Sequence, residues 1–177
     1  MHTSTPPRHR STFVNGRLSL TSLAFLLTAA CAPPEPLIAI GSGELDWLQM
    51  TDGDEIEVVY GPQGGYHFYG SVRLANIEAG DASNVESSLN PTTRFEAWVD
   101  DTPLVMIEPF TQGYDLAAED AEPFTHELTG RLVIIDIDDD DEINGKDVRF
   151  EVTVTDHLGQ VHRDVRNLLV VPNQYND

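Results

Sequence analysis

The chain has little that could cross-link it and little positive charge. It contains a single cysteine, Cys31, so no disulfide within the chain can stabilise the fold. Only 10 Lys and Arg residues stand against 30 Asp and Glu residues, which gives a formal net charge of −20 at pH 7. So negative a surface repels phosphate backbones and anionic lipid head groups alike. We therefore expect no nucleic-acid partner, and no attachment to a membrane through basic residues.

Familiar catalytic signatures are also missing from the sequence. There is no G-x-S-x-G nucleophile elbow, no phosphate-binding P-loop, no H-E-x-x-H zinc motif and no dinucleotide-binding fingerprint. Paired carboxylates, which glycoside hydrolases use, carry no information in a chain with so many acids. We expect a protein without catalytic activity, and we keep a hydrolase as the least favoured alternative.

The N-terminus has the parts of a secretory signal peptide. Residues 1–17 include three arginines and no acidic residue, and an apolar run from Leu18 to Ala30 follows them. This run is shorter than the roughly 20 apolar residues that a transmembrane helix needs. A basic segment, a short apolar segment and small residues at its end are typical of a signal peptide. We predict a signal peptide over residues 1–30.

The residues that end at Cys31 read L-T-A-A-C, which resembles the lipobox of bacterial lipoproteins. In that family the cysteine is lipidated and the chain is cut before it. The resemblance implies a signal peptide cleaved before Cys31, a lipidated tether over residues 31–36, and stable anchoring through several acyl chains. Since Ala32 stands where inner-membrane lipoproteins often carry aspartate, it also implies the outer membrane of a bacterial cell envelope. An ordinary secretory signal beside an unmodified cysteine is the alternative.

The remainder of the chain, residues 37–177, shows repeated strand patterns and no convincing helix. The alternation is clearest in V-R-F-E-V-T-V-T, residues 148–155, where Val and Phe alternate with polar residues. The stretch R-L-V-I-I-D-I, residues 131–137, is apolar at successive positions, as in a central strand. Eight or nine short strands separated by turn signals predict an all-β fold, a single immunoglobulin-like antiparallel β-sandwich behind the signal peptide.

A glycine-rich corner predicts one hairpin in particular. The G-P-Q-G sequence of residues 61–64 has the proline and the glycine that a type I turn favours, and Gly65 suits a left-handed backbone. The flanking strands should be Glu55–Tyr60 and Tyr66–Leu74. Gly70 falls on the core face of the second strand, where a missing side chain indicates a bulge or a close neighbour.

The opposite face of the same strand is the first candidate binding surface. Strand alternation places His67, Tyr69 and Arg73 in a row on that face. A second candidate is the pair of long loops at residues 79–93 and 111–125, because loops of this length in a compact domain are usually functional or mobile. A face that is merely covered or solvated is the alternative.

The region around this corner is similar to a pattern found in an uncharacterised family of bacterial lipoproteins and secreted proteins. Its features are a short G-x-G start, a D-G-D turn, and then G-P-Q-G-G followed by an aromatic residue and His, here within residues 40–74. The later stretch G-K-D-V-R-F-E-V-T-V-T-D-H-L-G-Q looks like the closing hairpin of their immunoglobulin-like domains. The resemblance implies a non-catalytic interaction or structural module, anchored to the membrane by lipid, with an envelope protein as its possible partner.

An acidic loop is the candidate metal site. In D-I-D-D-D-D-E-I-N-G-K-D, oxygen-bearing residues alternate as they do in calcium loops of the EF-hand and dockerin kind, with Ile143 as the hydrophobic anchor. Asp141 stands where such loops have glycine, and a predicted strand follows where dockerins have a helix. A solvated acidic loop is the alternative, and we expect no cofactor apart from this possible calcium. The ligands in a calcium site would be Asp136, Asp138, Asp140, the Glu142 carbonyl, Asn144 and Asp147.

The predicted lipid anchor can be tested with Cys31→Ser. We expect the variant to move from the detergent phase to the aqueous phase on phase partitioning, because the acyl chains are then missing. The control Ala32→Ser keeps the cysteine and should stay in the detergent phase. A Cys31→Ser protein that remains in the detergent phase would show that the anchor does not depend on Cys31.

Overall fold

The computed structural model describes His2 and residues 33–173 of the chain. The predicted signal peptide, Cys31 and the first part of the tether lie outside the described residues. All strands belong to the unit Pro34–Asp177. In chain order they are β1 Leu37–Ser42, β2 Leu48–Gln49, β3 Glu55–Tyr60, β4 Tyr66–Ala75, β5 Thr92–Val99, β6 Thr102–Pro103, β7 Phe110–Thr111, β8 Asp115–Leu116, β9 His126–Ile135, β10 Asp147–Thr155 and β11 Val161–Pro172.

The strands form two sheets that share β3. In the first sheet β4 pairs with β9 along one edge, and with β1 and the end of β3 along the other. The short strands β2 and β8 add to β1 and β9. In the second sheet the order is β3, β11, β10 and β5, with β6 and β7 paired to β5. The described pairs are antiparallel except for β3 and β11, which run parallel.

The two sheets pack face to face around three phenylalanines. Phe68 of β4 meets Phe150 of β10 edge-on, with ring centroids 5.9 Å apart. Phe150 also stacks on Phe95 of β5, again at 5.9 Å. All three side chains are fully buried, and buried aromatic rings contribute large apolar areas to a core. The predicted all-β sandwich is therefore confirmed, with 11 strands in the described residues rather than eight or nine.

The described residues contain one helical element, a 3₁₀ turn at Asp140–Glu142. No helix in this part of the chain is long and apolar enough to span a membrane. The stretch P-L-V-M-I-E-P after β5 is not the strand that its composition indicates. It crosses between the sheets, since the Leu104 N–H donates to the Ala97 carbonyl of one sheet and the Met106 N–H to the Ile134 carbonyl of the other.

The predicted hairpin is present with nearly the predicted bounds. β3 ends at Tyr60 and β4 begins at Tyr66. The Gly64 N–H donates to the Gly61 carbonyl at 2.9 Å, which closes the expected four-residue turn. Gly65 has a φ of 87°, in the left-handed region as expected. The glycines of this corner are thus explained by the turn itself.

Gly70 shows both features expected of it on the core face. The register of β4 against β9 shifts between Gly70 and Val72, where β9 contains one extra residue in a bulge. A Cβ atom on Gly70 would lie 2.7 Å from Cε1 of Phe95 and 2.8 Å from Cγ2 of Val133. Because carbon atoms do not approach this closely, only glycine lets the Phe95 ring reach the backbone of β4.

This contact predicts that Gly70→Ala destabilises the protein. Overpacking of a filled core costs about 1 to 3 kcal/mol, and we expect a loss of unfolding free energy in that range by chemical denaturation. The matched control is Gly61→Ala, whose Cβ would meet its nearest atom at 3.6 Å, an ordinary contact. The control should stay within about 0.5 kcal/mol of the wild type. Equal losses in the two variants would contradict the role given to the Phe95 contact.

Candidate functional site

A pocket of about 550 Å³ lies on the outer face of the first sheet. Its walls are the glycine-rich turn before β4, the outward side chains of β4 and β9, and the loop between β1 and β2, residues 43–47. The sequence therefore brings the corner at residues 61–65 and the candidate residue His67 to the same cavity. The lining residues are Glu44, Leu45, Gly61, Pro62, Gln63, Gly64, Gly65, Tyr66, His67, Tyr69, Gly130, Leu132 and Ile134.

The 43–47 loop is held across the sheet by close backbone contacts. The Ser71 hydroxyl, fully buried, accepts a hydrogen bond from the Gly130 N–H at 3.2 Å and lies 3.5 Å from the Gly43 carbonyl, to which it donates. A Cβ atom on Gly130 would be 2.1 Å from the Glu44 carbonyl oxygen, so glycine is required where the loop crosses β9. These contacts fix the position of Glu44 and Leu45 at the rim of the pocket.

His67 lines the pocket and carries a polar atom without a partner. The residue is 6% exposed, and its ring lies edge-on to that of Tyr69 with 5.0 Å between centroids. Its Nε2 atom is buried and has no hydrogen-bond partner among the described residues. An unpaired buried polar atom costs roughly 1–3 kcal/mol, and in native proteins such an atom usually indicates a bound water or ligand.

Burial sets the protonation state of this histidine. Removal of the ring from water lowers the pKa of His67, and the charge of Glu44 opposes that effect only in part. The imidazole is therefore neutral near neutral pH, and one of its two nitrogens can accept a hydrogen bond.

Two tyrosines of the pocket face acidic groups. Tyr69 donates a hydrogen bond to the Glu44 carboxylate. Burial makes the largest contribution to the raised pKa of Tyr69, and the charge of Glu44 raises it further. Tyr66 lies against the acidic loop, where its hydroxyl accepts a hydrogen bond from the Asp140 N–H. Burial raises the pKa of Tyr66 most, and the charge of Asp140 adds to this. Acidic side chains thus lie beside both phenol groups.

Arg73 belongs to a different place on the same face. Its guanidinium lies 4.7 Å from the centre of the Trp47 ring and its Nε donates to Glu127 at 2.9 Å. The side chain is about four-fifths buried by these contacts. The structure therefore brings His67 and Tyr69 of the predicted surface together in the pocket and leaves Arg73 outside it.

The pocket also uses residues that sequence reasoning missed. Leu132 and Ile134 of β9 are 51% and 42% exposed, and Leu45 at the loop tip is 84% exposed. The apolar run of β9 indicated a central strand, but its outward residues form the apolar wall of the pocket. Strand alternation could have predicted this position, because it puts Leu132 and Ile134 on the face opposite to the buried Val133.

The two long loops are pinned to the sandwich and to each other. Asn90 is buried, accepts from the Asp81 N–H at 2.7 Å and donates to the Asn84 carbonyl at 2.8 Å. The Tyr114 N–H donates to the Ala79 carbonyl, which ties the second loop to the first. Neither loop contributes to the pocket lining.

The acidic loop forms a 3₁₀ turn that supplies its own caps. The Asp139 carboxylate accepts from the Asp141 N–H at 3.0 Å, and the Glu142 carboxylate accepts from the N–H groups of Asp138 and Asp139 at 2.8 and 3.0 Å. This reciprocal pattern is a capping box. Ile143, which follows the turn, is buried in the core.

The carboxylates that approach one another most closely in this loop differ from the predicted calcium ligands. Asp139, Asp140 and Asp141 each offer an oxygen within 4.8 Å of the others, close enough to share one cation. Only Asp140 belongs to the predicted set. Of the others, Glu142 uses its side chain to cap the turn, and Asp147 already begins β10. Exposed acidic groups are often this close without a metal, so the cluster fits a solvated loop equally well.

The lowered pKa of His67 predicts a pH dependence of stability. The unfolded chain, with a histidine pKa of about 6.5, binds the proton more readily than the folded protein does. The contribution of the neutral His67 ring to the free energy of unfolding is therefore fully present above about pH 6.5. It is lost as the pH falls through that value, because the unfolded chain takes up the proton first. We expect His67→Phe to lose less unfolding free energy than the wild type between about pH 7.5 and about pH 5.5. The exposed-turn control His157→Gln should follow the wild type, and an unchanged slope in His67→Phe would contradict the assignment.

Comparisons of the chain with models of protein families, with curated proteins and with solved structures gave no match. The similarity to the lipoprotein group therefore remains an expectation from the sequence. What can be inferred about function comes from the geometry of the pocket and from the N-terminal sequence.

Proposed function

We propose that the protein is a lipid-anchored module of the bacterial outer membrane that binds a partner without catalysis, through the pocket beside His67. The anchor comes from the signal peptide and lipobox pattern that ends at Cys31. The immunoglobulin-like sandwich acts as the scaffold, and the partner is a component of the cell envelope. The observation that carries the binding role is a formed cavity lined by His67, a buried residue whose Nε2 has no hydrogen-bond partner in the described part of the chain.

The composition of the pocket supports binding. Small-ligand and side-chain pockets are concave and mostly apolar, with a few polar groups that set orientation. Here Leu45, Leu132 and Ile134 supply apolar surface, while Glu44 and His67 supply the polar groups. Large apolar side chains left exposed together commonly mark an interaction site.

The same lining supports a role without covalent chemistry. The residues that line the pocket include no Ser, Thr, Cys or Lys, so covalent catalysis there would have to use Glu44, His67 or a tyrosine as the nucleophile. This lining favours an interaction module over an envelope hydrolase.

A calcium-dependent surface module is the second candidate. It is favoured by the three neighbouring carboxylates of Asp139, Asp140 and Asp141, which lie beside the Tyr66 wall of the pocket. Calcium bound there would act on the pocket through Tyr66, with the weak affinity typical of extracellular modules.

Site-directed photo-cross-linking in cells that make the full chain tests the proposed function. A photoreactive phenylalanine analogue at Leu132 should give a discrete adduct in the membrane fraction, because this side chain is half exposed at the pocket wall. The matched control is the same analogue at Leu158, which is exposed in the β10–β11 turn and should give no such adduct.

Three outcomes separate the candidates. An adduct at Leu132 that survives chelator supports the interaction module as stated. An adduct that forms only with calcium, and is lost in Asp140→Asn, favours the second candidate. No adduct at Leu132, or the same adducts at Leu132 and Leu158, would overturn the pocket as the binding site.

A further inference from the structure

The charged groups in and around the pocket are acidic. Of the lining residues Glu44 alone carries a full charge near neutral pH, since burial keeps His67 neutral. Arg131, which neighbours the lining residue Leu132, projects to the other side of β9 and lies 4.1 Å from the centre of the Phe110 ring. The pocket therefore has a carboxylate at its rim and no basic side chain in its lining.

Further acids surround this rim on both sides. A second cavity shares Glu44 and Tyr69 with the pocket, and its lining includes Asp54, Glu55 and Glu57. At the other end the charges of Asp139 and Asp140 reach Tyr66. With the chain's net charge of −20, these groups make a field that attracts cations and repels anions.

The walls of the pocket suit the stem of an amphipathic cation. Leu45, Leu132 and Ile134 form an apolar side along which a chain of methylene groups can lie. Tyr66 also lines the pocket, and its ring centroid lies 5.1 Å from that of Tyr60. An ammonium group is attracted to a tyrosine face, and the attraction grows as the group is removed from water.

His67 supplies the second, independent observation that points to a ligand. Its side chain is more than nine-tenths buried, and its Nε2 has no partner among the described residues. A neutral imidazole can accept a hydrogen bond at one nitrogen, and an ammonium group has three hydrogens to donate and accepts none. Since Nε2 is closed to solvent, the nitrogen placed to accept from such a cation is Nδ1, which lies near Gly61 of the pocket lining.

We propose that the pocket binds an alkylammonium group. The ammonium group pairs with the Glu44 carboxylate and donates a hydrogen bond to His67, and the alkyl stem lies along Leu132 and Ile134. The chemistry is shared by a lysine side chain of a basic polypeptide and by a free aliphatic diamine. This inference rests on the proposed function, because it names the ligand class of the same pocket.

The test is a titration of the full-length protein in micelles of an uncharged detergent, followed through the NMR signals of the His67 ring. The first probe is Nα-acetyl-lysine N-methylamide, and the second is the norleucine analogue, which lacks the ammonium group. We expect the lysine probe to shift the His67 signals saturably, and the norleucine probe to bind at least about fivefold more weakly.

Charge variants show whether Glu44 is the partner. Glu44→Gln should weaken the lysine probe about fivefold, as expected for one ion pair at an exposed rim. The matched control Glu86→Gln changes an exposed glutamate in the 79–93 loop and should bind as the wild type does. Equal binding of the two probes, or a Glu44→Gln protein that binds the lysine probe like the wild type, would overturn the inference.

A third probe, 1,5-diaminopentane, separates the two sources of the ammonium group. Tighter binding of the lysine probe supports a side chain of a polypeptide, and tighter binding of the diamine supports a free amine. If none of the three probes shifts the His67 signals, ammonium binding is wrong. The cross-linking result at Leu132 then still decides separately whether the pocket receives another partner.

Discussion

The close approach of Phe95 to the backbone of Gly70 is the constraint on which the rest of the sandwich depends. The ring spans the gap between the sheets and completes the stack with Phe150 and Phe68. Since a one-residue slip of β4 would bring Tyr69 or Ser71 to face Phe95, the contact selects one register of β4. That register sends His67 to the outer face. The position of the candidate site thus follows from a packing contact on the opposite side of the same strand.

The outer face of β4 is unusual because it is buried as well. Ser71 is fully buried and His67 nearly so, which a sandwich with solvated outer faces does not require. The 43–47 loop covers Ser71 through contacts with Gly130, but it does not close over the turn at residues 61–65. The pocket is the space that remains between this loop and that turn. His67 is therefore removed from water, and its Nε2 has no hydrogen-bond partner among the described residues.

The sequence carried enough information for the local part of this arrangement. The turn residues at 61–65 and the alternation of β4 predicted the hairpin, the special role of Gly70, and the shared face of His67 and Tyr69. These features depend on residues close in sequence, whose turn chemistry and strand period act over a few positions. The same alternation placed Arg73 on this face as well. Alternation along a strand predicts which face a side chain takes, but it does not predict which neighbouring side chains cover it.

The pocket itself could not be predicted because its walls are far apart in the chain. The approach of the Glu44 carbonyl to Gly130 joins the β1–β2 loop to β9, and no pattern within either segment encodes the other. For the same reason Leu132 and Ile134 indicated a buried central strand, since an apolar pocket wall and a core face have the same composition. The acidic loop shows a related limit. Its alternating oxygens fit a calcium loop, yet the capping bonds of Asp139 and Glu142 account for its shape without an ion.

The few basic residues of the domain explain why the pocket keeps its negative field. All six arginines in the described residues already contact an aromatic ring or an acid within the sandwich. Arg149 lies 4.3 Å from the centre of the Trp98 ring and also pairs with the buried Glu151, to which Arg163 binds as well. The arginines that pair with an acid are neutralised where they stand, so they do little to offset the acids around Glu44. A ligand with its own positive charge would supply what the pocket lining lacks. The arginines so engaged are Arg73, Arg94, Arg131, Arg149, Arg163 and Arg166.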